Sequence, residues 1–177
     1  MKKLHINFNE LQKAAEDAER EAFDYFLDRQ TGEIIILSAE IIALAQEILS
    51  QSYEDDIADY EDVEPDELPD IPEWMEDEIE LALHVFLQEH DRFERIPERK
   101  PADTYAAMKI FAETLENRQL GELLYQALDG QGTFRKFKNL LAPYPKERKL
   151  WHSFNARTVK NELVEWLTSL AIEPERL

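Results

Sequence analysis

Phe23-Asp24-Tyr25-Phe26-Leu27-Asp28-Arg29-Gln30-Thr31-Gly32-Glu33-Ile34-Ile35-Ile36-Leu37 is the stretch that decides the fold. Phe23, Tyr25 and Leu27 recur at every second position, the period at which side chains share one face of a strand. Ile34 to Leu37 is a β-branched, apolar run suited to the returning strand. Between them Asp28–Gly32 supplies a turn, with Gly32 placed for the positive φ that a bulged hairpin loop requires. A lone hairpin is marginal in water, so it needs further strands or a helix against it. Upstream, Leu4, Ile6 and Phe8 alternate with His5 and Asn7, which predicts an N-terminal strand in the same small antiparallel sheet. Asn9 and Gln12 resemble a capping box ahead of a helical stripe of Leu11, Ala14, Ala15 and Ala18. Downstream, Ser38 is placed to cap a helix carrying Ile41, Ile42, Leu44, Ala45, Ile48 and Leu49.

Farther along the chain the period changes to that of helices throughout. Met75, Ile79, Ala82, Leu83 and Phe86 make one stripe. Asp103 is placed to cap a helix over 104–116 with Tyr105, Met108, Phe111, Ala112 and Leu115 on one face. Leu120, Leu123, Leu124, Ala127 and Leu128 follow, ended by Gly130. A short helix presents Phe134, Phe137, Leu140 and Leu141, Pro143 and Pro145 break it, and a last helix carries Val159, Leu163, Trp166, Leu167 and Leu170. The expected fold class is therefore α+β, predominantly α-helical: a small antiparallel sheet, made of the N-terminal strand and the hairpin near residues 22–37, followed by a helical C-terminal half. The expected organisation is 1–52 (small sheet plus helices), 53–73 (an acidic, proline-containing linker or loop) and 74–177 (helical, packed with 1–52 as one domain).

Charge is distributed unevenly over the 177 residues, which hold 39 acidic and 20 basic side chains for a net −19. Residues 1–90 carry 26 acids and 5 bases, or −21, whereas residues 91–177 carry 13 and 15, or +2. Glu54–Glu80 holds 15 acids in 27 residues, no base, and Pro65, Pro69 and Pro72. Like-charge repulsion and prolines oppose a packed helix there, and the EF-hand spacing for calcium is missing. From Gly130 to Lys160 the sign reverses, with eight Lys/Arg against Glu147 alone. A net −19 argues against the whole molecule being a generic duplex-DNA binder. There is no cysteine, so disulfides, thiol nucleophiles and Cys-ligated metals are excluded. The longest apolar runs, Ile34–Leu37 and Ile41–Ala45, fall far short of the roughly 18 residues of a membrane span. Polar residues after Lys2-Lys3 interrupt any signal-peptide core, so a cytoplasmic protein with no membrane contact is expected.

Several pieces, taken in order, resemble a known family. They are Tyr25-Phe26-Leu27-Asp28 leading to Thr31-Gly32-Glu33, Arg92-Phe93 before Ile96-Pro97, and Tyr105…Met108…Phe111. Gly130-Gln131-Gly132-Thr133-Phe134-Arg135-Lys136-Phe137-Lys138, Trp151…Phe154 and Glu165-Trp166-Leu167 complete the set. Together they look like the bacterial uncharacterised protein family 0158, over most of the chain apart from the acidic tract. Thr133 stands where a small residue, usually Ala, is expected. The resemblance supports the fold and implies no activity, cofactor or catalytic residue.

The best functional candidate is the basic segment. Two glycines ahead of a helix can leave N–H groups facing an anion, with Arg135, Lys136 and Lys138 adding charge and Arg148 and Lys149 following. Trp151 is placed to stack on bases. The candidate anion or nucleic-acid site is thus Gly130, Gly132, Arg135, Lys136, Lys138, Arg148, Lys149 and Trp151; the bland alternative makes the glycines helix punctuation and the aromatics core. The Gly-Lys-Ser/Thr ending of a phosphate-binding P-loop is missing. His84 and His90 are six apart, on opposite sides of a helix, and His90-Asp91 is too short to specify a metal phosphohydrolase. Ser38, Ser50, Ser52, Ser153 and Ser169 lack nucleophile-elbow glycines. No catalytic residue, metal or cofactor is expected. The leading expectation is a non-catalytic interaction or regulatory protein with segregated acidic and basic surfaces. Its partner would be a basic protein at the acidic tract, an anionic ligand at the basic segment, or a second copy in a homodimer. Nucleic-acid or anion binding is the alternative, and a metal-dependent hydrolase a distant third.

Overall fold

The hairpin forms where the alternation places it. In the computed structural model, which describes residues 1–52 and 71–175, β2 (Phe23–Asp28) pairs antiparallel with β3 (Ile34–Ser38) in the register Phe26↔Ile35 and Leu27↔Ile34. Gly32 adopts φ 84°, and a Cβ there would run into the His5 carbonyl oxygen, so only glycine fits the turn. The third strand of this sheet is not the N-terminal one. It is β4 (Phe93–Arg95), antiparallel to the other edge of β2, giving the order β3-β2-β4.

The N-terminal strand β1 (Lys2–Leu4) instead pairs in parallel with β5 (Ile172–Pro174), forming a separate two-stranded sheet. It stops at Leu4 because Asn7, rather than Asn9, caps the next helix: its side-chain oxygen accepts the N–H groups of Asn9 and Glu10 at 3.2 and 3.3 Å. Phe8 therefore opens α1 (Phe8–Glu16) instead of closing a strand. Ser38 does cap α2 (Ala39–Ser52), accepting from the Ile41 N–H at 3.3 Å. A 3₁₀ turn (Glu73–Met75) leads into α3 (Glu76–Leu87), whose first turn carries Glu76, Asp77 and Glu78, favourable charges at a helix N-terminus. The sequence expectation of uninterrupted helix after the acidic tract is corrected by β4 and β5, each only three residues long. The expected linker at 53–73 lies outside the described residues apart from its last three positions.

The chain separates into two compact units, Met1–Glu98 with Ala171–Leu177, and Arg99–Leu170. The division does not follow the acidic tract. In the first unit Phe26, Leu37, Ile41, Ala45 and Ile48 pack with Met75, Ile79, Ala82, Val85 and Phe93, so residues 75–93 share the hairpin's core. The second unit is four helices: α4 (Pro101–Thr114), α5 (Arg118–Ala127), α6 (Thr133–Leu141) and α7 (Pro145–Ser169). Asp103 caps α4 from within its first turn, accepting the Lys100 N–H at 3.1 Å. α7 is 25 residues long and begins at Pro145, so the basic run 146–160 lies within its first two thirds.

A buried ion pair ties β4 to the hairpin turn. Arg92 grips the Asp28 carboxylate through Nε at 3.2 Å and a second guanidinium nitrogen at 2.8 Å, and the Gln30 N–H donates to the same carboxylate at 2.8 Å. The Asp28 side chain is 4% exposed. Burial pushes its carboxyl up, but the Arg92 bonds, the Gln30 N–H and Thr31 outweigh this and hold it below the ordinary carboxylate value. The resulting stabilisation is complete above that ordinary value and is lost as pH falls below it. Asp28→Asn leaves Arg92 without its counter-charge and should lower stability by about 2 kcal/mol in urea denaturation at pH 7, with a smaller deficit near pH 3. A second pair joins the Tyr25 hydroxyl to the Asp17 carboxylate in a short hydrogen bond, which raises Tyr25 to about 12. In alkaline absorbance titration one tyrosine should therefore ionise well after the ordinary ones, and Tyr25→Phe should remove that late step.

Candidate functional site

Two polar clusters in the first unit are structural. The Asp28–Arg92 pair has its carboxylate valences filled from within the fold. Arg20 donates to the Ala14 and Ile96 carbonyls at 2.9 and 2.6 Å and pairs with Asp24 at 3.0 Å, and Arg95 holds the other Asp24 oxygen at 2.6 Å. Among the described residues His84 and His90 have other neighbours than metal-ligand groups would give them. His84 lies edge-on to Phe93 at 5.3 Å with Arg92 at 3.5 Å, and exposed His90 faces Glu94 at 3.4 Å. Among the described residues no three His, Cys, Asp or Glu side chains are grouped to hold a metal ion.

The sequence-predicted site lies wholly in the second unit. Gly130 and Gly132 take φ 80° and 67°, and Gly132 precedes the first residue of α6. This is the punctuation that the bland reading gave them. The exposed Lys136 ammonium donates to the Asp129 carbonyl at 3.1 Å, closing the turn. Trp151 is a correction. It is 6% exposed, with ring centroids 5.0 Å from Phe137 and 5.4 Å from Phe111, so it forms the core that Leu120, Leu124 and Leu141 complete. It has no free face for a base. A tryptophan after a Lys/Arg run reads as a stacking residue only if the run is a loop; here the run is helical, and Trp151 falls on its inner side.

The remaining cations lie on the surface. Arg135, Lys138, Lys146, Arg148 and Lys149 are exposed, and among the described residues none of these side chains has a hydrogen-bond or ion-pair partner. Arg135 and Lys138 share the outer face of α6 at i, i+3. On α7, at about 100° per residue, Lys146 and Lys149 align with Arg157 and Lys160 within roughly 80°, whereas Arg148 is turned to the other side. Lys146, Arg157 and Lys160 are thus exposed cations on this side that the candidate set from the sequence did not include; a helix beginning at Pro145 is the signal that exposes their spacing.

Helix stability does not account for these positions. Arg135 sits in the first turn of α6, and Lys146, Arg148 and Lys149 sit at the start of α7. A helix N-terminus carries partial positive charge, so each cation there is unfavourable by about 0.3–1 kcal/mol at low ionic strength. An external anion would reverse that sign. The groove between α4 and α5, about 310 Å³ and lined by Glu113, Arg118, Glu122 and Tyr125, offers nothing comparable. Arg118 turns inward there to the Glu113 carbonyl at 2.7 Å, closing the end of α4.

Residues 70–175 match the Uncharacterised protein family (UPF0158), and the chain belongs to that family. The match begins after the hairpin and spans α3 to β5. No curated protein and no solved structure matches the chain. No helix among the described residues is long and apolar enough to cross a membrane.

Trp151→Ala should cost about 3–5 kcal/mol in stability, the usual range for emptying a large aromatic site, as read by urea denaturation. Gly132→Ala should cost about 1 kcal/mol because alanine resists φ 67°.

Proposed function

We propose that this is a non-catalytic interaction or regulatory protein of the bacterial cytoplasm, working through separated acidic and basic surfaces. One observation carries the reading: the two units differ sharply in net charge. Arg99–Leu170 holds 12 bases and 8 acids, or +4, and the rest of the chain holds 8 and 31, or −23. The pairs that displace titration in the first unit, Asp28 with Arg92 and Tyr25 with Asp17, are spent on holding strands and turns together. Opposed fields of this kind suit charge-complementary partners, with association that weakens as salt screens beyond about 8–10 Å.

Nucleic-acid or anion binding at the basic segment is the second reading, favoured by the cations at the starts of α6 and α7. Both are tested by fluorescence anisotropy at 25 mM NaCl with labelled 16-residue glutamate-rich and lysine-rich peptides and 16-nucleotide single-stranded and duplex DNA. The interaction reading expects both peptides to bind. An Arg135→Ala, Lys138→Ala, Lys146→Ala, Arg148→Ala, Lys149→Ala variant should lose at least ten-fold for the acidic peptide and keep its affinity for the basic one. No binding of either peptide would overturn it. DNA bound more tightly than the acidic peptide, and lost in the variant, would establish the second reading instead.

A further inference from the structure

α7 and α3 carry stripes of opposite charge. On α7, Lys146, Lys149, Arg157 and Lys160 are all exposed and span 14 residues, about 21 Å at 1.5 Å per residue. No acid lies on that side: Glu147 is turned roughly 100° from Lys146 and Glu162 pairs with Arg99 at 3.4 Å. Leu150, 47% exposed, lies beside the cations and gives the stripe an apolar centre. On the 3₁₀ turn and α3, Glu73, Glu76, Asp77 and Glu80 are exposed at i, i+3, i+4 and i+7, and exposed Leu87 continues their line. The first stripe belongs to the +4 unit and the second to the −23 unit.

We infer that a second copy of this chain is the partner of α7, its α3 stripe laid against part of the Lys146, Lys149, Arg157 and Lys160 stripe in a head-to-tail contact. This rests on the reading of separated surfaces as contact surfaces and names the occupant. Exposed aromatic rings, which single-stranded nucleic acid needs for stacking, are missing from the α7 stripe, where Trp151 faces the core. The carboxylates of residues 73–80 cover about 10 Å at 1.5 Å per residue, enough to face one cation pair of α7 (Lys146 with Lys149, or Arg157 with Lys160), and Leu150 and Leu87 supply apolar contact. A heterologous contact of this kind closes into a ring or dimer if the rotation permits and otherwise extends.

Each copy is −19 overall, so the contact has a distinctive salt dependence. Net repulsion acts over distance and dominates at low salt, where the Debye length is about 30 Å at 0.01 M. Near 0.15 M it is screened to about 8 Å while pairs in contact persist, and at 1 M the pairs weaken as well. Association should therefore peak at intermediate salt.

Sedimentation equilibrium at 5–200 µM in 10 mM, 150 mM and 1 M NaCl tests this. Wild type should associate most at 150 mM. K146E/K149E/R157E/K160E should associate at least ten-fold more weakly. E73K/E76K/D77K/E80K should also weaken at least ten-fold, although its net charge moves from −19 to −11 and repulsion alone would make it associate more. The neutral version E73Q/E76Q/D77N/E80Q repeats this comparison without placing cations at the start of α3. An equimolar mixture of the two reversed variants should recover association to within about three-fold of wild type. A wild type that is monomeric at every salt, acidic-stripe variants that associate more strongly, or a mixture that stays monomeric would overturn the assignment. The first of these leaves the interaction reading to the peptide titration, so the two fail separately.

Discussion

The second unit depends on how Trp151 is held. Its indole lies against Phe137 and Phe111, and that contact fixes which side of α7 faces inward. Val159, Leu163 and Leu167 continue the buried side, leaving the lysines and arginines of the basic run with nowhere to go but solvent. A single packing decision thus produces both a core and a cationic exterior. The aromatic cluster is apolar burial of large area and specific edge-to-face geometry, worth more than any of the surface charges it displaces outward.

In the first unit the equivalent constraint is electrostatic. β4 is three residues long and would not hold to β2 by ladder bonds alone. Arg92, one residue before it, reaches the carboxylate of Asp28 at the hairpin turn, and the Arg29 N–H donates to the Arg92 carbonyl at 2.7 Å. The Ile96 N–H then bonds the Tyr25 carbonyl at 2.8 Å on the far side. The two units therefore use their charges differently: the acidic unit folds some of its few cations into ion pairs, and the basic unit leaves most of its cations outside.

Much of this was legible in the sequence, for physical reasons that differ by element. The Phe23–Leu37 hairpin and the Gly32 turn could be read because alternation and positive φ are local requirements. The α4 to α7 stripes could be read because each helix spends one full face on a core. β4 could not, since Phe93-Glu94-Arg95 is too short to show a period and its partner lies 65 residues away. β1 was seen as a strand but given the wrong neighbour, because strand pairing is non-local and its true partner is at Ile172. Of the candidate site, the cations were legible as composition, while their arrangement waited on the start of α7. Trp151 was misread because a basic run contains no mark of which side chains the helix will turn inward.

The pairing of β1 with β5 has a consequence for how the chain is made. The first unit is interrupted: its chain leaves at Glu98 and returns only at Ala171, after the whole of the second unit. During synthesis Lys2–Leu4 must wait for Ile172–Pro174, about 170 residues later, before its backbone groups find their partners. The four-helix unit, built from one uninterrupted segment with nearby contacts, can condense during that interval. The β1–β5 sheet is then the closing stitch of the first unit, and a nascent polypeptide that has not yet reached Ile172 leaves it undone.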